Sequence, residues 1–231
     1  MKTFWQLFDK HDGYESLKHN HYPEIYDEYF GPYRDKEINF LEIGVRQGGS
    51  LEIFRKYFPK ANIYAIEIDI NGIPSDIFKL KNTQIVIGDA TSVETIDQLM
   101  EKVDGKFDII LDDGSHLPEQ QIATYNLLWR HLKSPGVYMV EDLVYNYNAP
   151  WYKKEHTFMD FMFKKIDQFH LQDDMKPLNT TRLKFPKRDY HSIRFHRNAV
   201  VVKKEGLPRN RGDQFEEIRT HSLLSSLLSN R

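Results

Sequence analysis

Short apolar runs alternate with amphipathic stretches through the first two thirds of the chain. Ile38–Ile43, Ala61–Ile68, Thr83–Ile87, Phe107–Leu111 and Val137–Val140 are each four to eight residues long. They are rich in β-branched and aromatic residues and read as strands. Ser50–Tyr57, Val93–Val103 and Leu117–Leu132 carry apolar residues at helical spacing and read as helices, the last broken by Ser134-Pro135-Gly136. This alternation predicts an α/β fold: a Rossmann-like, doubly wound, mostly parallel sheet with helices on both faces. His191–Phe195 and Ala199–Lys203 flank a tight turn at Arg197-Asn198. They predict a C-terminal antiparallel hairpin that closes the sheet edge and brings it to seven strands.

The flanks read differently. Phe4, Trp5, Leu7 and Phe8 form an apolar cluster, and Tyr22–Phe30 has helical spacing with Pro23 in its first turn and Gly31-Pro32 after it. Phe158–Phe169 reads as a helix, Met175–Arg188 as a loop, Leu207–Asp213 as a linker and Phe215–Leu228 as a short amphipathic helix or tail. The expected division is a helical cap segment over 1–37, a binding domain over 38–205 and a tail over 206–231.

The chemistry gathers where strands end. LEIGVRQGGS at 41–50 carries the first strand into the first helix. Gly44, Gly48 and Gly49 suit a sharp turn with close ligand approach, and the helix start offers free N–H groups. In an open parallel sheet, ligands bind beyond the carboxyl ends of the strands. At those ends stand Glu42, Glu67, Asp89, Asp112-Asp113 and Glu141-Asp142. So many acids on one rim repel one another unless cations or hydrogen-bond donors join them, which marks the rim as functional. Glu67, at the end of the second strand, is placed to accept ribose hydroxyls, and Asp89 to meet an adenine edge. The glycine spacing is not G-x-G-x-x-G, so a nucleoside without a pyrophosphate fits better than a dinucleotide.

Composition narrows the class. Mean hydropathy is −0.62 and no long apolar run is present, so no membrane insertion is expected. The opening MKTFWQLFDKHDG lacks a signal-peptide core, and the 231 residues include no cysteine. The cytoplasm is the expected compartment; thiolate chemistry and Cys-held zinc are excluded. Residues 1–150 hold 15 basic and 24 acidic residues, and residues 151–231 hold 17 and 10. The acidic larger part argues against nucleic acid as partner. The basic last third suits an anionic acceptor, such as a polysaccharide or a nucleotide-linked sugar.

EIGVRQGGS, Glu67, Gly88-Asp89-Ala90 and the alternating topology resemble the class I S-adenosylmethionine-dependent methyltransferases. More narrowly, DDGSH at 112–116 with Glu141-Asp142, and DKHDGYESLKHNHYPEIYDEYF before the binding domain, resemble the metal-dependent sugar O-methyltransferases of the macrocin and mycinamicin family. The likeness covers roughly residues 9–145. It implies S-adenosylmethionine held by Glu42, Gly44, Gly48, Ser50, Glu67, Asp89 and Asp112. It implies Mg²⁺ (or Mn²⁺) on Asp113, Glu141 and Asp142, a donor set that suits a hard cation, with His116 as general base beside Asp113. His19, His21 and Tyr22 are candidates to cover the site, and Trp151 and Tyr152 to wall the acceptor. The implied acceptor is a sugar hydroxyl on a natural-product glycoside or a surface polysaccharide. The alternatives are a catechol-like vicinal diol, or donor binding without catalysis. The macrolide enzymes carry an extra N-terminal domain without a counterpart here, so substrate and oligomeric state are not carried over. Phe215–Leu228 is the candidate contact for a homo-oligomer.

Overall fold

In a computed structural model of the chain, residues 2–147, 156–170 and 190–204 are described. Trp151, Tyr152 and the segments expected over Met175–Arg188, Leu207–Asp213 and Phe215–Leu228 lie outside them. In order, the elements are α1 (Phe4–Phe8), α2 (Tyr22–Tyr29), β1 (Asn39–Ile43), α3 (Gly49–Tyr57), β2 (Asn62–Glu67), β3 (Thr83–Ile87), α4 (Val93–Met100), β4 (Phe107–Asp112), α5 (Pro118–Leu128), β5 (Leu132–Val140), α6 (Phe158–His170), β6 (Tyr190–His196) and β7 (Ala199–Lys204). They build one seven-stranded sheet in the order β3-β2-β1-β4-β5-β7-β6. The first five strands are parallel; β7 runs antiparallel to both β5 and β6. The chain winds outward from β1 to β3, then returns to start β4 against β1. That reversal opens a crevice at the carboxyl ends of β1 and β4.

Strand side chains alternate between two cores. Phe40, Ile63, Ile109, Leu111, Val137 and Met139 pack with α1, α2 and α3, while Leu41, Tyr64, Ile110, Tyr138 and Val140 pack with α4, α5 and α6. The first core is aromatic: Phe4 meets the rings of Tyr26, Phe54 and Tyr57 at 4.5–5.4 Å. Period-two alternation then fixes which way the strand-end acids face. Glu42, Asp113 and Glu141 share the parity of Phe40, Leu111 and Met139, and so turn toward the α1–α3 side. Asp112 turns toward the other side.

The helix expected over Val93–Val103 ends at Met100, and the largest departure from expectation lies between α5 and β5. The helix expected to reach Leu132 ends at Leu128, followed by a single 3-10 turn at Trp129–His131. β5 starts at Leu132, not at Val137. Leu132 pairs with Phe107 and Val137 with Ile109, so residues 133–136 form a bulge against β4, although Gly136 still pairs with Lys204 of β7. Proline and glycine are tolerated at such a bulge, and a reading that treats them only as terminators misses the strand before them. Among the described residues, no helix is long and apolar enough to cross a membrane.

Candidate active site

The turn after β1 is shaped by contact with β4. Gly44 has φ +89°, and a Cβ there would lie 2.3 Å from the carbonyl oxygen of Asp113. Glu67 lies across the same turn. One of its oxygens accepts from the N–H groups of Val45 and Arg46 at 2.7 and 2.8 Å, the other from Ile68 and Asp69 at 2.8 and 3.1 Å. Gly48, at φ +84°, forms the N-cap of α3. At Gly49 a Cβ would lie 2.1 Å from the carbonyl oxygen of Tyr14, so glycine here lets the N-terminal segment cross the start of α3.

A cavity of about 400 Å³ opens at this rim. Gly44, Ser50, Glu67, Asp89, Asp112, Asp113, His116 and Asp142 line it, together with Glu15–Lys18 and Tyr145. Glu42, Gly48 and Glu141 are buried behind its wall. Asp89 closes a local turn by accepting from the N–H and hydroxyl of Thr91. Asp112 takes one hydrogen bond from the Gly114 N–H, and its other oxygen has no partner among the described residues. Burial raises the Asp112 carboxyl to about 7. Three non-glycine residues on the cavity wall have positive φ: Arg46 at 52°, His116 at 60° and Asp142 at 55°. Such backbone persists only where its surroundings hold it, and it gathers at functional sites.

The acids are held by a lysine and two tyrosines that the sequence reading did not assign to them. The Lys18 ammonium lies 2.5 Å from Asp113 Oδ2, 2.9 Å from Glu141 Oε2 and 3.9 Å from Glu42 Oε1. Burial pulls its pKa down, but Asp113, Glu141 and Glu42 outweigh this and hold it well above the ordinary lysine value. Tyr26 donates to Glu141. Tyr22, one turn earlier on α2, donates to Asp142 Oδ1 at 2.7 Å and accepts from the Asp142 N–H at 3.0 Å. Tyr22 had been a candidate only to cover the site. Burial, partly offset by Lys18, raises Glu141 to about 8 and Glu42 to about 7. Neither oxygen of Glu42 has a hydrogen-bond partner among the described residues.

His116 sits on the open side. Its Nε2 is 3.6 Å from Asp142 Oδ2, and its ring stacks on Tyr145 at 5.2 Å. The side chain of Asn146 donates to its carbonyl oxygen. Ligand atoms of Asp113, His116 and Asp142 come within 4.8 Å of one another. Glu141 is close by, but its carboxylate is engaged inward by Lys18 and Tyr26. His19 lies at the edge, 3.5 Å from Asp142 Oδ1, and His21 meets the carbonyl oxygen of Arg197. The strand-end acids thus lie on one rim, divided into an inner and an outer group.

The MycE methyltransferase of the mycinamycin biosynthetic pathway, solved with Mg, SAH and mycinamycin VI, superposes with a TM-score of 0.73. It is 22% identical, over 96% of this chain and 59% of that one. The fold is that of the class I methyltransferases. Among curated proteins, the 8-demethyl-8-alpha-L-rhamnosyl tetracenomycin-C 2'-O-methyltransferase of Streptomyces olivaceus is 27% identical over 79% of this chain and 50% of its own length. The mycinamicin VI 2''-O-methyltransferase of Micromonospora griseorubida is 32% identical over 51% of this chain and 30% of its own. The chain therefore spans half or less of the curated relatives it matches, all sugar O-methyltransferases. No family model matches it.

The residues present fit two of the groups that the MycE structure holds, SAH and Mg. Asp112 presents an unpaired buried oxygen on a cavity of ligand size. The outer group sets two carboxylates within reach of one ion, with an imidazole beside them.

Proposed function

We propose that the chain is an S-adenosylmethionine-dependent, Mg²⁺-dependent O-methyltransferase that acts on a sugar hydroxyl of a natural-product glycoside. The observation that carries this reading is the convergence of Asp113, His116 and Asp142 within 4.8 Å at the wall of the cavity beside the Gly44 turn. The names of the relatives supply the sugar. In this reading Gly44, Ser50 and Asp112 hold the donor, with Glu67 at the ribose and Asp89 at the adenine. Glu42 and Gly48 shape the wall from behind. Asp113 and Asp142 hold the metal, with Glu141 next to them.

When bound, the donor supplies a sulfonium methyl with its own leaving group, and the metal supplies a positive charge that acidifies a neighbouring hydroxyl. The chain supplies orientation and a base. Nε2 of His116 takes the hydroxyl proton, and Asp142 beside it stabilises the imidazolium that forms. Tyr145 fixes the ring plane by stacking.

Calorimetric titration with S-adenosylmethionine and with Mg²⁺, on wild type and Asp113→Ala, tests the reading. The variant is expected to keep its donor affinity, lose the Mg²⁺ signal and lose turnover by roughly 100-fold or more. Undiminished methyl transfer in EDTA would remove the metal from the reading. Methylation of a catechol in preference to rhamnosyl glycosides would replace the sugar.

A further inference from the structure

Lys18 is a buried charged residue at the rim that the proposed chemistry does not use. Its ammonium bridges Asp113 and Glu141 at 2.5 and 2.9 Å. Asp113 is thus shared between the lysine and the outer group of Asp113, His116 and Asp142. The Lys18 side chain is only 2% exposed, so the contact is built into the fold rather than made by a passing surface lysine. Magnesium binds carboxylate oxygens at about 2.0–2.1 Å. An ion on Asp113 Oδ2 would then lie no more than about 4.6 Å from the Lys18 ammonium. Two cations that close on one carboxylate in a buried site oppose each other.

Lys18 also belongs to a stretch without helix or strand, from His11 to Asn20. Its near end is pinned. Tyr14 donates through its N–H to Glu52 and through its hydroxyl to Asp76, and Arg46 pairs with Glu15 at 3.1 Å. Beyond Glu15, the Ser16 hydroxyl is buried without a partner among the described residues. The Lys18 ion pairs tie the next residues to the rim. Glu15, Ser16, Leu17 and Lys18 form part of the wall of the donor cavity.

Building on the metal reading above, we propose that Lys18 is a tethered cation that competes with the divalent ion for Asp113. Ion entry frees the Glu15–Lys18 strap from the cavity wall, and ion loss lets it settle back. Tyr26 keeps Glu141 in place in both states. Ion binding and strap closure therefore oppose each other by the same factor, whichever is measured.

The test uses the full chain without donor. Mg²⁺ is titrated calorimetrically into wild type and Lys18→Met, and amide hydrogen exchange of residues 14–20 is followed with and without the ion. Lys18→Met is expected to bind Mg²⁺ about tenfold tighter. Wild-type residues 15–19 are expected to exchange faster once the ion is bound, and those of the variant to exchange fast throughout. The wild-type exchange needs no variant, so a poorly folded Lys18→Met leaves the test intact. Strap exchange indifferent to the ion, with equal affinity in both proteins, would overturn the proposal by placing lysine and metal apart. Weaker Mg²⁺ binding by the variant would overturn it too, since the lysine would then organise the metal site. Mg²⁺ bound by neither protein would withdraw the metal centre and the exchange together, a failure distinguished by its lack of any ion signal.

Discussion

Tyr22 and Tyr26 lie one helical turn apart on α2 and serve two consecutive acids, Asp142 and Glu141. The Tyr22 hydroxyl both donates to the Asp142 carboxylate and accepts from its N–H, and so clamps a residue whose φ of 55° is unfavourable. Tyr22→Phe is therefore expected to weaken Mg²⁺ binding by roughly tenfold while leaving donor affinity unchanged, as outer partners of metal ligands do. Paired titrations check this; equal losses for both ligands would mean that Tyr22 only supports the fold. The acids were legible in the sequence because each ends a strand, and strand ends can be read from apolar runs. Their partners were not. Lys18 is 95 positions from Asp113, and Tyr22 is 120 from Asp142. Lys18 itself lies in a polar stretch whose local pattern says nothing about burial.

Among the elements, the strands were read within a residue or so wherever an apolar run had polar ends, as at Thr83–Ile87. The start of β5 was missed because a bulge looks like a terminator in one dimension. The turn glycines were found, but their separate duties follow from neighbours distant in sequence: β4 behind Gly44, the strap over Gly49. Gly49 provides a test at this scale. Its φ is not left-handed, so alanine would suit the helix itself. Its Cβ would nevertheless meet the Tyr14 and Glu15 carbonyl oxygens at 2.1 and 2.5 Å, both backbone atoms. Gly49→Ala is expected to cost about 1–3 kcal/mol as an overpacked contact. It should also raise exchange or proteolysis at residues 13–18 while far-UV circular dichroism stays unchanged. Unaltered protection of that segment would show that α3 yields instead of the strap.

Across the whole molecule, the same alternation that buries two cores directs Glu42, Asp113 and Glu141 into one wall and Asp112 into the other. The hairpin of β6 and β7 buttresses this arrangement: the Asn198 carbonyl accepts from Tyr22 and from the Leu143 N–H. Gathering these acids has a cost in stability that depends on pH. Burial raises Glu42 to about 7, Asp112 to about 7 and Glu141 to about 8. In the unfolded chain they titrate at ordinary carboxylate values, near 4. Between those limits the folded state binds more protons than the unfolded one, so stability is fullest below the unfolded values and falls as pH rises toward 7 or 8. Each such group lowers the unfolding free energy by about 1.4 kcal/mol per pH unit across its window. Ligand-free protein is thus expected to lose thermal stability between pH 5 and pH 7. Glu42→Gln should flatten the profile by one group's share, because the amide stays neutral in both states. Melting curves of the two proteins over that range, in metal-free buffer, decide the matter. A profile equally steep in both would mean that Glu42 is ionised in the fold at pH 5, with the Lys18 ammonium compensating its burial in full.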